Sequence, residues 1–334
     1  MSRYIVIGAG ALGALLAAQW TLARVPVVLV ARGRSLDVIA RDGVLIRRPE
    51  GDEVIDIDVV GSIAAARPTV SDTVVLAVKS QDAEAAIAAI AWVPLDDGRG
   101  VVADLPILTL QNGLATEEFA LRRFDRVVGV SIGIPASHLE PGVIVSPASP
   151  VVGVAWIGGY PSALPGEEER HRSAFALARF AAFIEPDIAA AKRRKLIANL
   201  RNVVDVFDAP IEDAELAERL LADEARAVFD TAGLAVAPPP WDAPPLVIGE
   251  VRGHVAGHLS TWQSFARGSS SEVDYLSGEI ALIARRHGIE APLNAAVARE
   301  LGTLSARGGR PGEVRLPPEF ASGVLVSGRV GSRA

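Results

Sequence analysis

The opening stretch constrains this chain more than any other. Tyr4–Ile7 is a short apolar run, and Gly8, Gly10 and Gly13 follow at once in GAGALG, a G-x-G-x-x-G pattern. An Ala- and Leu-rich stretch over residues 11–23 comes next. A strand, a glycine loop and a helix in that order is what a dinucleotide-binding unit requires. The first glycine permits a tight turn, the second lets the backbone approach a pyrophosphate, and the third lets helix and strand pack closely. The helix start at Ala11 and Leu12 then offers free N–H groups and a partial positive charge to phosphates. The bare string also fits an ordinary glycine turn. Its place at the head of an alternating pattern selects the nucleotide-binding reading.

That pattern continues through residues 27–30, 74–78, 107–110 and 127–130, which are short runs of Val, Ile and Leu bounded by Gly, Pro or Asp. They read as buried strands. Residues 11–23 and 83–91 read as helices between them, and residues 142–156 as further strand at the sheet edge. Alternation of this kind predicts an α/β fold with a Rossmann-type parallel sheet. After Gly158 the character changes. GGYPSALPGEEE reads as a loop, and the chain then reads as helical over 172–183, 190–207, 214–232, 249–265, 272–287 and 293–305, with APPPWDAPP as a rigid linker. The expected organisation is a nucleotide-binding domain over 1–170, an all-helical domain over 171–308 that supplies substrate and catalytic groups, and a loosely held tail over 309–334 rich in Gly, Arg, Pro and Ser.

Composition excludes several function classes. The 334 residues carry 33 basic and 40 acidic side chains, a net charge of −7, with no long basic run. Nucleic acid is therefore not an expected partner. With no cysteine, a disulfide scaffold, a thiolate nucleophile, Cys-ligated zinc and iron–sulfur clusters are all ruled out. No apolar run reaches the ~18 residues of a membrane span. Only Ser2 and Arg3 separate Met1 from YIVIGAG, without the parts of a signal peptide. The expectation is a cytoplasmic enzyme that meets a small molecule rather than a membrane, and a homodimer is compatible with that picture.

Only three of the basic residues are lysine: Lys79, Lys192 and Lys195. Arginine stays protonated, whereas a lysine ammonium can give up its proton when its surroundings lower its pKa. A lysine kept in so arginine-rich a chain points to a need for lysine itself. The second strand ends in Val30-Ala31-Arg32-Gly33-Arg34. An NAD site usually places an acid here, about 20 residues past the loop, on the ribose 2′-hydroxyl. Two arginines in its place suit a 2′-phosphate, so the expected cofactor is NADP (NADPH), held in part by Arg32. Solvated loop arginines are the alternative.

At this point the chain resembles the ketopantoate reductase (2-dehydropantoate 2-reductase) family, to about residue 305. The resemblance rests on an ordered set: GAGALG; LAVKSQD with Lys79; LQNGLA with Asn112; KLIAN with Lys195 and Asn199; LSTWQSFARGSSSEVDYLSGEI with Ser260 and Glu272; and RRHGIEAPLN with Gly288, Pro292 and Asn294. It implies NADPH-dependent reduction of 2-dehydropantoate to (R)-pantoate, in pantothenate and coenzyme A biosynthesis, with the helical domain closing over the cleft. Lys195 matches the general acid, which supplies a proton and a positive charge to the developing alkoxide. Glu272 matches the acid that binds the substrate hydroxyl and holds the ammonium. Asn199, four residues after Lys195, shares its helix face. Ser260 matches a carboxylate-binding serine. Lys79 and Asn112, each after a strand, match residues beside the nicotinamide and its ribose, Asn112 also being near substrate. Blander readings exist for five of them: a solvated KRRK face for Lys195, a solvent-facing asparagine for Asn199, a helix-start acid after Ser269–Ser271 for Glu272, a surface lysine for Lys79, and an Asn-Gly turn for Asn112.

The chain departs from the family at one place. The family commonly carries a second asparagine eight residues after the lysine, followed by proline. Here Val203 stands there, and Asn202 is the nearest asparagine. A one-residue shift turns a side chain by about 100° around a helix. Asn202 is kept as a substrate-side residue, and the departure opens the alternative of another 2-oxo acid or an imine as substrate. A second alternative, a non-catalytic NADP(H) sensor, has no use for a proton donor such as Lys195. His254 and His258 stand at i and i+4, yet VAG between them lacks the glutamate of a zincin helix, so no metal is expected. Ser131 and Ser146 show no nucleophile elbow. Trp92, Trp156 and Trp241 read as packing residues, and Trp262 as packing or as a pocket wall.

Overall fold

Every second side chain of a buried strand faces the same layer, and β1 (Tyr4–Ile7) shows the consequence. Tyr4 and Val6 belong to one buried apolar cluster, and Ile5 and Ile7 to another. The sheet that contains β1 is therefore covered on both faces, as parallel sheets are. The fold is that of a computed structural model, which describes residues 2–240, 243–254, 259–268 and 271–320. The chain forms two compact units: Met1–Lys192 with Ala237–Ala256, and Arg193–Val236 with Gly257–Ala334.

In the first unit the strands are β1, β2 (Val27–Val30), β3 (Val44–Arg48), β4 (Gly51–Ile55), β5 (Val59–Val60), β6 (Thr73–Leu76), β7 (Ile107–Thr109), β8 (Val127–Gly133), β9 (Ser137–Glu140), β10 (Val143–Val145), β11 (Gly153–Tyr160) and β12 (Phe180–Ile184). The helices are α1 (Ala11–Leu22), α2 (Gly33–Asp42), α3 (Ser80–Ile90), α4 (Ala115–Leu121) and α5 (Pro165–Leu177). Eight strands form one sheet in the order β12-β11-β8-β7-β6-β1-β2-β5. Pairing is parallel throughout, except between β11 and β8. A second sheet has the order β4-β3-β10-β9. One core layer gathers around Trp20, which is fully buried, stacks on Tyr4 at 4.2 Å between ring centroids, and donates Nε1–H to the Ala174 carbonyl at 2.9 Å.

The expected strand over 142–156 is two strands in two sheets. Residues 143–145 form β10, which pairs with β3 and β9, and β11 pairs with β8 and β12 inside the main sheet rather than at its edge. Pro147 and Pro150 lie between them and have no N–H to offer a ladder. The expected helix over 172–183 also divides. Helix α5 ends at Leu177, and Arg179 takes a left-handed φ of 66°. The chain then runs as β12, parallel to β11 in the register Gly153↔Phe180. Because β12 belongs to the sheet, the first unit extends past residue 170.

Helix α6 (Ile188–Asn199) leads into the second unit, which contains α7 (Arg201–Val204), α8 (Ile211–Thr231), α9 (Ser260–Ala266), α10 (Ser277–His287) and α11 (Pro292–Ala306). The start of α11 is capped from α8. The buried Glu224 carboxylate accepts from the backbone N–H of Leu293 at 2.9 Å and of Asn294 at 2.8 Å. Of the helix expected over 249–265, residues 249–254 are not helical, residues 255–258 lie outside the described residues, and α9 covers residues 260–265. Upstream of it, the Ser149 N–H donates to the Val247 carbonyl and the Gly249 N–H to the Pro147 carbonyl, so residues 247–249 are held as extended chain on the first unit. Of the tail expected to be loose, Gly312 and Val314 hydrogen-bond with Val206 and Asp208 through their backbones. Residues 321–334, Trp241, His258, Ser269 and Ser270 lie outside the described residues. Among the described residues no helix is long and apolar enough to cross a membrane, and no group of His, Asp and Glu could hold a metal ion.

Candidate active site

In an open α/β sheet, ligands bind outside the carboxyl ends of the strands where the chain reverses its direction of winding. Here that point is β1, with β2 on one side and β6 on the other. The glycine loop leaves β1 at this edge. Gly8 has φ +112°, a region that L side chains rarely adopt, and a Cβ there would meet the Ala77 and Val78 backbone at 3.1 Å. A Cβ on Gly13 would lie 2.0 Å from the Gly8 carbonyl oxygen. Gly10, by contrast, has nothing within 4 Å of an ideal Cβ. It is the residue before α1, with no side-chain cap. The backbone N–H groups of Ala11, Leu12 and Gly13 in the first helical turn have no acceptor within the helix. Two glycines are thus required by packing, and the third leaves open space over a helix N-terminus. This arrangement fits the pyrophosphate of a dinucleotide.

The neighbouring strand ends bring further expected residues to the same edge. Lys79 follows β6 and is the residue before α3. Asn112 follows β7, and the Ser80 hydroxyl donates to its carbonyl at 2.8 Å. The buried Gln111 amide donates to the carbonyls of Leu76 at 2.8 Å and Val78 at 2.9 Å. Lys79 and Asn112 are both half-buried. Arg32 and Arg34 lie at the end of β2, around the start of α2; both are exposed, and no acid stands between Val30 and Leu36. Gly8, Gly10, Ala11, Leu12, Gly13, Arg32, Lys79 and Asn112 therefore share one rim of the first unit.

The second unit holds the other expected residues. Lys195 is half-buried on α6. Burial, and secondarily the Arg201 guanidinium, push its ammonium down from 10.5 to about 8. The bland reading, a fully solvated KRRK face, is thus not what the structure contains. Asn199 follows one turn later and is buried. Asn202 on α7 is also buried, and its Nδ2 donates to the Ser260 hydroxyl at 3.4 Å. Ser260 opens α9 and is exposed, and the loop before it is tied by the Leu259 N–H to Asp205 at 3.1 Å. Val203, the position of the departure, is fully buried in apolar packing. Glu272 is half-buried at the start of the short 3₁₀ turn Val273–Tyr275.

Sequence reasoning missed a set of buried polar residues behind the first unit's rim. Lys192 and Glu117 form a buried ion pair, Thr109 donates to the same Glu117 oxygen at 2.6 Å, and Lys192 Nζ donates to the Gln111 carbonyl at 3.1 Å. The signal that could have found them is the scarcity of lysine. It pointed at Lys192 as much as at Lys79 and Lys195.

Comparison with known proteins places this arrangement. The family description "Ketopantoate reductase PanE/ApbA" matches residues 4–158, and "Ketopantoate reductase PanE/ApbA C terminal" matches residues 187–305. A 2-dehydropantoate 2-reductase of Pyrococcus horikoshii is 27% identical over 302 residues, spanning 87% of this chain and 94% of the relative. A PanE/ApbA family ketopantoate reductase from Ralstonia eutropha JMP134 superposes with a TM-score of 0.73 at 20% identity, covering 92% of this chain and 99% of the other. D-mandelate dehydrogenase, in its ternary structure with NADH and anilino(oxo)acetate, superposes with a TM-score of 0.75 at 16% identity, over 92% and 99% of the two chains. At such identities the two superpositions speak for the fold. With both of its halves matched in order, and with a glycine loop whose packing suits the pyrophosphate of a dinucleotide, the chain belongs to the ketopantoate reductase family, oxidoreductases of the 2-oxo/2-hydroxy acid pair.

Proposed function

We propose that this chain reduces 2-dehydropantoate to (R)-pantoate with NADPH. The observation that carries the reading is Lys195, a half-buried lysine whose ammonium is pushed down to about 8 in the unit that also holds Asn199, Asn202, Ser260 and Glu272. A general acid works best with a pKa near the operating pH. When bound, a reduced nicotinamide supplies the hydride for the keto carbon. Gly8, Gly10, Ala11, Leu12 and Gly13 would receive its pyrophosphate, and Lys79 and Asn112 its nicotinamide end. Lys195 holds a proton and a positive charge for the oxygen that becomes an alkoxide. Glu272 orients that ammonium, and Asn199 shares its helix face. Asn202 steadies the Ser260 hydroxyl, which is then free to donate to a carboxylate while its oxygen accepts from Asn202.

Initial rates of NADPH oxidation over a panel of 2-oxo acids test the reading. Ketopantoate is expected to give the highest kcat/KM. Val203 favours a second reading, a different 2-oxo acid, because the position where the family commonly has asparagine is here sealed into apolar core. The panel separates the two, and no turnover on any member would overturn both. The pH profile has a definite sign. Reduction needs the ammonium, so its kcat/KM falls as pH rises through about 8; oxidation of the 2-hydroxy acid needs the neutral amine and rises through the same pH.

The preference for NADPH over NADH rests on Arg32 and Arg34, exposed at the end of β2 with no ion pair among the described residues and no acid between Val30 and Leu36. Arg32→Ala combined with Arg34→Ala is expected to raise the KM for NADPH roughly tenfold and leave that for NADH unchanged. Equal loss with both cofactors would remove the 2′-phosphate role.

A further inference from the structure

Helix α6 is seated on the main sheet by two devices, both within the first unit. Ile188, at its first position, fills the space left by two glycines. A Cβ on Gly129 of β8 would stand 2.9 Å from Ile188 Cγ1, and one on Gly158 of β11 would stand 2.9 Å from Ile188 Cβ. One turn later Lys192 enters a buried polar site. Its ammonium pairs with Glu117 of α4 and donates to the Gln111 carbonyl at 3.1 Å, while Thr109 of β7 donates to the same carboxylate oxygen at 2.6 Å. Both charged side chains are buried.

A buried ion pair is poor evidence of a stabilising role. Desolvating two charges costs several kcal/mol per ion, and apolar replacements of similar volume are often as stable or more so. The question is then what this pair does that leucine and methionine could not. The answer lies in where its third bond ends. The Gln111 carbonyl belongs to the residue just before Asn112. The side chain of the same Gln111 donates to Leu76 and Val78, so it ties the loop after β7 to the one that presents Lys79. The Ser80 hydroxyl closes the circuit on the Asn112 carbonyl at 2.8 Å. Carbonyl and amide of Gln111 thus link Lys192 to the backbone just before each rim residue, at Gln111 for Asn112 and at Val78 for Lys79.

We propose that Lys192 and Glu117 are positioning residues for the cofactor: a buried clamp that fixes the Gln111–Asn112 loop, and through it the Val78–Lys79–Ser80 loop, in the geometry that receives the nicotinamide end of the dinucleotide. The proposal rests on the reading of this rim as the cofactor site and not on the identity of the oxo acid. Neither residue touches the cofactor. They act through Gln111. The shortage of lysine in the chain follows for this position too. A compact ammonium with three rotatable donors can serve a carboxylate and a carbonyl at once in a confined space, where a planar guanidinium would need more room.

The test uses the full chain and reads NADPH and NADH dissociation constants by cofactor fluorescence beside the melting temperature. Lys192→Met alone strands a buried carboxylate and is expected to lower both stability and affinity. The informative variant is Lys192→Met combined with Glu117→Leu, which removes both charges. Its melting temperature is expected to return to within a few degrees of wild type. Its dissociation constant for NADPH is expected to stay raised about tenfold, equivalent to about 1.4 kcal/mol, because no group then holds the Gln111 carbonyl. A double variant that recovers both stability and affinity would show the pair to be packing alone and overturn the proposal. Should the double variant fail to fold, Glu117→Gln is measured instead. It keeps an acceptor for Lys192, and unchanged affinity in Lys192→Met beside it would overturn the proposal equally. Wild-type protein that binds neither cofactor would sink the cofactor reading and the clamp with it, whereas loss of oxo-acid turnover with cofactor binding intact would leave the clamp standing.

Discussion

Replacing Lys195 by alanine is expected to lower kcat for oxo-acid reduction by roughly 10²–10³-fold, the usual cost of losing one group that stabilises a developing oxyanion. Two effects combine in that figure. On the proposed reading the variant loses a proton donor whose pKa of about 8 lies close to neutral, and with it the positive charge assigned to the nascent alkoxide. NADPH affinity is expected to hold, because the glycine loop, Lys79 and Asn112 all belong to the first unit and Lys195 to the second. Stability is expected to hold or rise slightly, since a lysine whose ammonium is disfavoured by burial is removed. Steady-state kinetics beside a thermal melt decide the matter. A variant with kcat within a few-fold of wild type would remove Lys195 from the chemistry. The pH limb near 8 should vanish with it, and a limb that survives would belong to another group.

The second large effect separates two glycines of one motif. Gly13→Ala forces a Cβ to 2.0 Å from the Gly8 carbonyl oxygen, far inside any real contact, so the first turn of α1 must move away from β1. Misfitted small-to-large changes in packed sites typically cost about 1–3 kcal/mol. The melting temperature is expected to fall by several degrees, and cofactor binding is expected to be lost with the loop geometry. Gly10→Ala meets nothing within 4 Å in the protein itself. Its melting temperature should therefore stay at the wild-type value while NADPH binding weakens strongly, because the added methyl occupies the space a pyrophosphate needs. Equal affinity for NADPH in wild type and Gly10→Ala would mean that the open space over α1 is not where the dinucleotide lies.

The two sets of residues were legible to different degrees. The glycine loop announces itself because its chemistry is local: turn, close approach and helix start lie within six positions, from Gly8 to Gly13. Lys79, Asn112 and Lys195 were singled out by resemblance, and the two lysines also by the scarcity of lysine in the chain. The Lys192–Glu117 pair was not, because 75 positions of chain separate its members and no periodicity links them. Asn202 and Ser260, 58 positions apart, meet for the same kind of reason. At Val203 the structure explains the departure: a residue facing apolar core has no use for an amide, and the neighbouring Asn202 carries the polar contact.

The strands show the same division. Runs of Val, Ile and Leu made β1, β2, β6, β7 and β8 readable, since a strand buried on both faces must be apolar along its length. Strands β3, β4 and β12 were not readable. Two of them, Val44–Arg48 and Gly51–Ile55, are short and charged, and Phe180–Ile184 is an Ala- and Phe-containing stretch that local preference would continue as helix. Pairing with β11 overrides that preference, since hydrogen bonds from a distant strand outweigh a weak helical bias. By itself the sequence determined the nucleotide-binding half, its glycine loop and the absence of thiol chemistry, because backbone sterics, burial period and composition act on neighbouring residues. Only the tertiary structure decided which buried charges meet, how Lys195 is desolvated and where the helical reading gives way to sheet, because burial and pairing partners come from parts of the chain far away in sequence.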